Sequence, residues 1–499
     1  MTIEQAHNTD VSVLVSVPFE RARQNPTGEC IRDQNRSFDN LTFALDTAAL
    51  AARLAARGVS RGDVVAILLP NCAEIVTTMF AAWSLGAALT PMNPALTDPE
   101  VIYQLQDSEA RVIIGDERAG RLAAGLEITH VDASTIHTGS PADPDNAPAG
   151  VAVAEPEDFA LIIYTSGTTG KPKGCVLDHS NITAMVASIS THLEIDAQDT
   201  SLLVLPLFHC NGLLIGVLSV LLAGGTVVVA PRFDAKTFWD VVEAERPTFF
   251  SAVPTMYAML DAQTTPAVDT SSLRFLVCGA APMPADLLER FQDRFGVPVV
   301  EGYGLSEGSV ASTLNPLRGP RKAGTVGPAL PGQQLRIVTP DGATAKQGDR
   351  GEILIKGANV MREYLGRPEE TATVLHDGWL RTGDVGYLDE DGYLVLVDRI
   401  KDVIIRGGEN IFPKEIEFVL CQHPDVLEAA VVGHPDQVFG EVPVAYVAPV
   451  PGQQLNGVEL ERHCLASLAK YKVPRHFAII ASLPKNSVGK IVKAGLTSC

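Results

Sequence analysis

Along the first two thirds of the chain, short continuous apolar runs alternate with longer Ala- and Leu-rich amphipathic stretches. Residues 44–57 have helical spacing and stop at Gly58. Residues 63–69 (DVVAILL) are too short for a helix and apolar throughout, which predicts a buried strand. Helical spacing returns at 73–85 and a strand-like run at 112–114, followed by further runs at 160–164, 201–205, 226–229, 249–252 and 275–278. Such strands, separated by helices, predict an α/β architecture of parallel sheets with helices on both faces. Residues 127–155, rich in Ala, Pro and Asp, read as a surface connection. The apolar run 213–230 is long enough to raise a membrane span. Gly224 and Gly225 divide it into a helical half and a β-branched half, so a buried helix–turn–strand unit is expected and no membrane span.

The texture changes near Gly319. Runs at 335–338 and 352–356 flank the turn residues Pro340, Asp341 and Gly342, and the sequence DEDG at 389–392 precedes a run at 393–397. A β-rich subdomain ahead of Asp398 is expected. Beyond it, strand signals at 429–433 and 444–447 mix with helical ones at 414–422 and 459–468, the pattern of a small α+β domain.

Composition adds constraints. The 499 residues are 46% hydrophobic, ample for several cores, and the formal charge of −20 argues against a nucleic-acid binder. Residues 399–499 carry eleven Lys and Arg against ten Asp and Glu, net +1, which leaves −21 for the rest. That asymmetry marks the tail as a separate unit suited to anionic groups. The eight cysteines form no C-x-x-C pair and fit reduced thiols. No basic segment precedes the apolar stretch 11–17, so no secretory signal is expected and the location is expected to be cytoplasmic.

The strongest chemical feature is Thr165, Ser166, Gly167, Thr168, Thr169, Gly170, Lys171, Pro172, Lys173 and Gly174, placed after the strand-like run 160–164. Glycines allow backbone N–H groups to converge on an anion, and hydroxyls with two ammonium groups complete a polyphosphate cradle. Only two residues separate Gly167 from Gly170, and Pro172 follows the Lys, so this is not a Walker A loop. The Gly-rich segment around Gly302 and Gly304 lacks dinucleotide-fold spacing.

Seven segments together resemble the adenylate-forming superfamily of acyl- and aryl-CoA ligases, luciferases and peptide-synthetase adenylation domains. They are the loop 165–174, PLFH at 206–209, GAAP at 279–282, YGLSE at 303–307, RTGD at 381–384, DRIKD at 398–402 with GGEN at 407–410, and 484–490 ending in Lys490. They occur in the family's order across residues 38–493.

The resemblance implies a large N-terminal domain, 1–398, of two parallel-sheet subdomains and a β-rich one. A small mobile C-terminal domain, 399–499, would turn about a hinge at Lys401. It implies ATP and Mg²⁺ as cofactors, coenzyme A as co-substrate, and activation of a carboxylic acid as an acyl-adenylate before thioester formation. The phosphopantetheine of a carrier protein is the alternative acceptor. A non-catalytic nucleotide-binding relative is a further alternative, disfavoured by the presence of Glu307 and Lys490. A monomer or homodimer is expected. Glu307 resembles the magnesium ligand, Tyr303 the residue stacked on adenine beside Gly279, Ala280 and Ala281, and Asp384 and Arg399 the ribose contacts. Ser306 lies within the adenylate motif. Lys490 resembles the lysine joining carboxylate to α-phosphate, His209 a residue near the acyl and thiol channels, and Gly407 with Gly408 the turn offered to the pantetheine arm.

Acetate-specific relatives carry a Trp where Gly304 stands, which implies a deeper acyl pocket. Amino-acid-activating relatives carry an Asp where His209 stands, so a free α-amino acid is not expected. The expected lining includes His209, Asn211, Met256, Gly279, Gly302, Gly304 and Val310, and leaves a medium-chain fatty acid and an aromatic acid both open.

Overall fold

The computed structural model describes residues 12–137, 154–165, 171–263, 268–407, 409–485 and 491–496. The chain forms two compact units, Met1–Leu335 with Ile355–Leu380, and Arg336–Leu354 with Arg381–Cys499.

The first unit holds two large sheets. In a seven-stranded sheet, Ala88–Met92, Val64–Leu68, Val112–Gly115 and Thr129–Asp132 run parallel. Phe159–Thr165 joins parallel to Ala88–Met92 and then turns back as the antiparallel strand Lys173–Asp178. The outer edge of that strand is closed by Glu363–Tyr364. The eight-stranded sheet places Val299–Tyr303, Phe275–Cys278, Phe249–Ala252, Thr200–Leu203 and Thr226–Val229 side by side and parallel. Its Phe249 and Phe275 side chains stack at 5.0 Å. Trp239, Tyr257 and Phe291 fill one of its faces.

The two sheets bear out the expected parallel cores, with two differences. Residues 129–132 are a strand and not connection: the mixed sequence THVD hides an edge strand buried at Val131. Ala88–Met92 is a central strand despite Pro91, which the ladder usually excludes. The run 213–230 behaves as expected, with a turn at Gly224 (φ +94°) before the strand Thr226–Val229. Its helical half is a π-helix over Asn211–Leu218, widened relative to an α-helix. Among the described residues no helix is long and apolar enough to cross a membrane.

A five-stranded sheet follows, containing both expected hairpins: Gln333–Val338 beside Gly351–Gly357, and Trp379–Leu388 paired antiparallel with Leu394–Arg399. In the tail, Val426–Asp436 and Gly440–Pro449 form a long hairpin on which Pro413–Cys421 and Gly457–Ser467 pack. Asp398 is buried and accepts the backbone N–H of Lys414 at 2.8 Å, tying the start of that helix to the preceding strand.

Candidate active site

The phosphate loop is the connection of a hairpin. Its two strands hold register down to Tyr164 opposite Gly174 and Thr165 opposite Lys173, so the loop ends are fixed. Ser166, Gly167, Thr168, Thr169 and Gly170 lie outside the described residues. The returning limb is anchored by side chains distant in sequence. Tyr103 donates its hydroxyl to the Pro172 carbonyl at 2.9 Å, and its ring lies 5.8 Å from the Lys171 ammonium. Arg367 donates to the Tyr103 hydroxyl at 2.8 Å and to Asp107 at 2.7 Å, and Tyr164 donates to the other Asp107 oxygen at 2.9 Å.

Lys173 is ion-paired with Glu370 and lies 5.2 Å from the Tyr364 ring. The Tyr364 hydroxyl in turn donates to Glu307 Oε1 at 2.8 Å. Burial, and then the charge of Glu307, push the Tyr364 phenol well above its usual range, so it remains a donor. Glu307 sits in the single turn Ser306–Gly308, and its own carbonyl accepts Met361 N–H at 2.8 Å. Its second carboxylate oxygen has no hydrogen-bond partner among the described residues.

That unpartnered oxygen suits a hard divalent cation. Among the described residues no group of three or more His, Cys, Asp or Glu could hold a metal. Mg²⁺ fits such a place, because it keeps waters and takes one or two carboxylates plus phosphate oxygens.

The adenine candidates converge at neighbouring strand ends, since Cys278 pairs with Glu301. Gly279, Ala280 and Ala281 leave one strand, and Tyr303 ends the next, largely buried. Ala280 has φ +68°, a left-handed conformation that costs a residue with a Cβ on the order of 1–2 kcal/mol. Strain of this kind persists where the surroundings over-determine it. Beneath lies Glu301, whose carboxyl is pushed up to about 7 by burial and which accepts Met283 N–H at 3.1 Å.

His209 and Asn211 follow the strand Thr200–Leu203 at the same edge. His209 Nε2 and Asn211 Oδ1 are buried and lack a hydrogen-bond partner. Burial lowers the His209 imidazole to about 4, so it is neutral at physiological pH. A Cβ placed on Gly279 would meet only Asn211 Nδ2, at 3.8 Å, so Gly279 faces open space with Asn211 across it.

Gly304 and Gly302 do not contribute an open floor. A Cβ at Gly304 would come 2.0 Å from the Val310 carbonyl oxygen and 2.6 Å from Ala311 Cα, and one at Gly302 would strike Leu314. Both glycines are required by close backbone or core approach, which corrects the expectation of a pocket floor at 304. The run YGLSEG carries no signal of it, because the colliding backbone belongs to a loop that folds back.

In the second unit, Asp384 and Arg399 are opposite one another on paired strands, with Arg399 Nε 3.0 Å from Asp384 Oδ1. Lys401 is exposed in the single turn Ile400–Asp402, and Gly407 has φ +60°. Gly408 and Lys490 lie outside the described residues. Of the tail's basic residues, Lys472, Arg475, Lys485 and Lys493 are ion-paired to Glu415, Asp436, Glu428 and Glu417. The charge of these four is therefore neutralised locally. Tyr103, Asp107, Tyr364, Arg367 and Glu370 had no motif to announce them. The pairing of Glu363–Tyr364 with the hairpin brings the three later residues, Tyr364, Arg367 and Glu370, there or close to it.

A family model described as AMP-binding enzyme matches residues 19–365, and one described as AMP-binding enzyme C-terminal domain matches 415–490. A feruloyl-CoA synthase of an Amycolatopsis species is 40% identical over 486 residues, 96% of this chain and 97% of that protein. ATP-bound MatB from Rhodopseudomonas palustris is similar in structure, with TM-score 0.91 and 30% identity over 97% of this chain and 98% of that one. The o-succinylbenzoate coenzyme A synthetase of Bacillus subtilis in complex with ATP and magnesium has TM-score 0.87 and 32% identity, covering 96% and 99%.

Proposed function

We propose, from the premise that this chain belongs to the adenylate-forming AMP-binding enzymes and is an AMP-forming acid–thiol ligase, a specific division of labour among its residues. The acid is aromatic or medium-chain. Its carboxylate oxygen attacks the α-phosphorus of ATP, and pyrophosphate leaves with the bonding pair. The sulfur of coenzyme A then attacks the acyl carbon, AMP departs, and the thiol proton is released.

Two anions must meet in the first step. Lys171 and Lys173 receive the β- and γ-phosphates at the hairpin, and Lys173 exchanges Glu370 for them. Glu307 holds Mg²⁺, which offsets phosphate charge. Tyr303 covers adenine over the small residues 279–281, and Asp384 with Arg399 holds the ribose hydroxyls. Lys490 stabilises the charge that develops where carboxylate meets phosphate. For the second step the domain beyond 398 turns at Lys401 and offers the Gly407–Gly408 turn to the pantetheine arm.

The observation that carries this reading is the chain from Lys173 through Tyr364 to Glu307 beside the hairpin ends: a cation and a hard ligand held together. The test is acid-dependent pyrophosphate release across a panel of acids, with coenzyme A and then a carrier protein as acceptor. Release that depends on an aromatic or medium-chain acid, with thioester formed on free coenzyme A, is expected. Absence of release with every acid would sink the reading.

A further inference from the structure

The helix Asp98–Asp107 carries Tyr103 and Asp107 four residues apart, so both lie on one face. Asp107 meets both limbs of the phosphate hairpin. Its Oδ2 accepts the Tyr164 hydroxyl of the outgoing strand at 2.9 Å. Its Oδ1 accepts Arg367 at 2.7 Å, from just beyond the strand Glu363–Tyr364 that pairs with the returning one. Burial, and then the Asp107 charge, push the Tyr164 phenol well above its usual range, so it remains a donor.

Tyr103 has a single hydroxyl proton and two acceptors near it. The Pro172 carbonyl lies at 2.9 Å and Asp107 Oδ1 at 3.4 Å. A carboxylate is the stronger acceptor, since charge-assisted hydrogen bonds are roughly twice as strong as neutral ones. Alone, Asp107 would draw the hydroxyl away from Pro172. Arg367 opposes this twice over. It fills Asp107 Oδ1 with a closer, charged donor, and the same nitrogen donates to the Tyr103 oxygen at 2.8 Å. The proton of that hydroxyl is left for Pro172, which stands between Lys171 and Lys173 in the returning limb. Arg367 Nε is buried without a hydrogen-bond partner, so this orientation of the guanidinium is kept at a cost.

We infer that Arg367 is a positioning residue for the ATP phosphates: by occupying Asp107 and donating to Tyr103, it directs the Tyr103 hydroxyl onto the Pro172 carbonyl and so sets the limb that presents Lys171 and Lys173. The inference rests on the phosphate-binding role proposed above for those two lysines. The effect belongs to the half-reaction that handles pyrophosphate. Thioester formation from the acyl-adenylate has no β- or γ-phosphate to place.

The experiment measures KM for ATP, pyrophosphate and the acid in acid-dependent exchange, beside conversion of supplied acyl-adenylate with coenzyme A. Arg367→Met should raise KM for ATP and for pyrophosphate by roughly ten- to a hundredfold, the scale of a misplaced binding group. KM for the acid and the thioester step should stay within about twofold, which also shows that the variant is folded. Tyr103→Phe keeps the ring beside Lys171 and should shift the same two constants. The double variant should be no worse than Arg367→Met alone, within about twofold, because both changes remove one contact. Adding Asp107→Asn to Arg367→Met should recover most of the loss. The amide oxygen can accept Tyr164, its nitrogen can donate to Tyr103 as Arg367 did, and the competing charge is gone. Equal loss in the thioester step, additive effects of Arg367→Met and Tyr103→Phe, or no recovery with Asp107→Asn would each overturn the inference. If Arg367→Met does not fold, Tyr103→Phe decides: a parental KM for ATP overturns it, while the adenylation reading stands. A parent enzyme without acid-dependent exchange overturns both.

Discussion

At the phosphate hairpin, Lys173, Glu307, Asp107 and Arg367 each have a partner, whereas at the acyl edge of the other sheet Asn211 Oδ1 and His209 Nε2 have none. The two places thus differ in how their charged and neutral groups are met, although Arg367 Nε and Glu370 Oε2 near the hairpin are also buried without a hydrogen-bond partner. Charges cannot be left alone in a half-buried place, because an uncompensated ion is strongly destabilising. Lys173 is therefore held by Glu370, and in the function proposed above phosphate would replace that carboxylate, making recognition an exchange of partners. A neutral amide or imidazole atom left unpaired costs only about 1–3 kcal/mol, which a large domain can carry. Partner exchange suits a cofactor common to every turnover.

The contrast can be broken by substitutions whose effect should, or should not, depend on the acid. The largest effect is expected for Lys490→Ala, which should lower acid-dependent pyrophosphate exchange by roughly two to three orders of magnitude. The loss should be the same for every acid, and conversion of supplied acyl-adenylate with coenzyme A should survive. An acid-dependent loss would put Lys490 in the acyl end. Next, Glu307→Gln should reduce metal-dependent adenylation by about a hundredfold, with far less effect on thioester formation from supplied adenylate. Equal loss in both steps would remove Glu307 from metal binding.

A smaller change is expected at Tyr364, which positions Glu307 through its 2.8 Å hydrogen bond. Tyr364→Phe should raise the Mg²⁺ concentration for half-maximal exchange by up to roughly tenfold, within the range for a hydrogen bond to a charged group, and leave the acid's KM alone. Mn²⁺ binding in the presence of ATP, followed by electron paramagnetic resonance, should weaken in parallel.

The smallest effect concerns stability. Burial raises the Glu301 carboxyl from an ordinary 4.5 to about 7. The folded protein holds that proton more tightly than the unfolded chain does. The contribution is therefore present in full below about pH 4.5, falls as pH rises through 7, and is constant above. Glu301→Gln should flatten the Tm profile across that window, by an amount on the order of 1–3 kcal/mol. A parallel, unflattened profile would mean that Glu301 is ionised in the fold.

The sequence made the parallel cores and the two later hairpins legible because each rests on local signals: apolar runs of strand length and turn residues between them. It also singled out a candidate phosphate loop, whose glycines, hydroxyls and lysines lie together in ten consecutive residues. It was silent on Tyr103, Tyr364, Arg367 and Glu370, since their roles arise from the pairing of residue 176 with residue 363, which no window spans. It misread Gly304 for a related reason: the same residue suits an open pocket floor and a close backbone crossing, and only the fold distinguishes them. Pro91 shows the converse, a local breaker overruled by burial in a central strand.

The pairing of Lys173–Asp178 with Glu363–Tyr364 also bears on how the molecule is made. A ribosome delivers the hairpin early and the strand that covers its outer edge only after Tyr364 has emerged. At typical synthesis rates of ~5–20 residues per second, the interval is on the order of ten to forty seconds. Throughout it, Cys175, Val176 and Leu177 present an apolar strand edge with open N–H and C=O groups, a template for pairing with a neighbouring chain. Nascent fragments that stop short of residue 363 should therefore aggregate or recruit chaperones, and slower translation of the intervening segment should lower the yield of soluble enzyme.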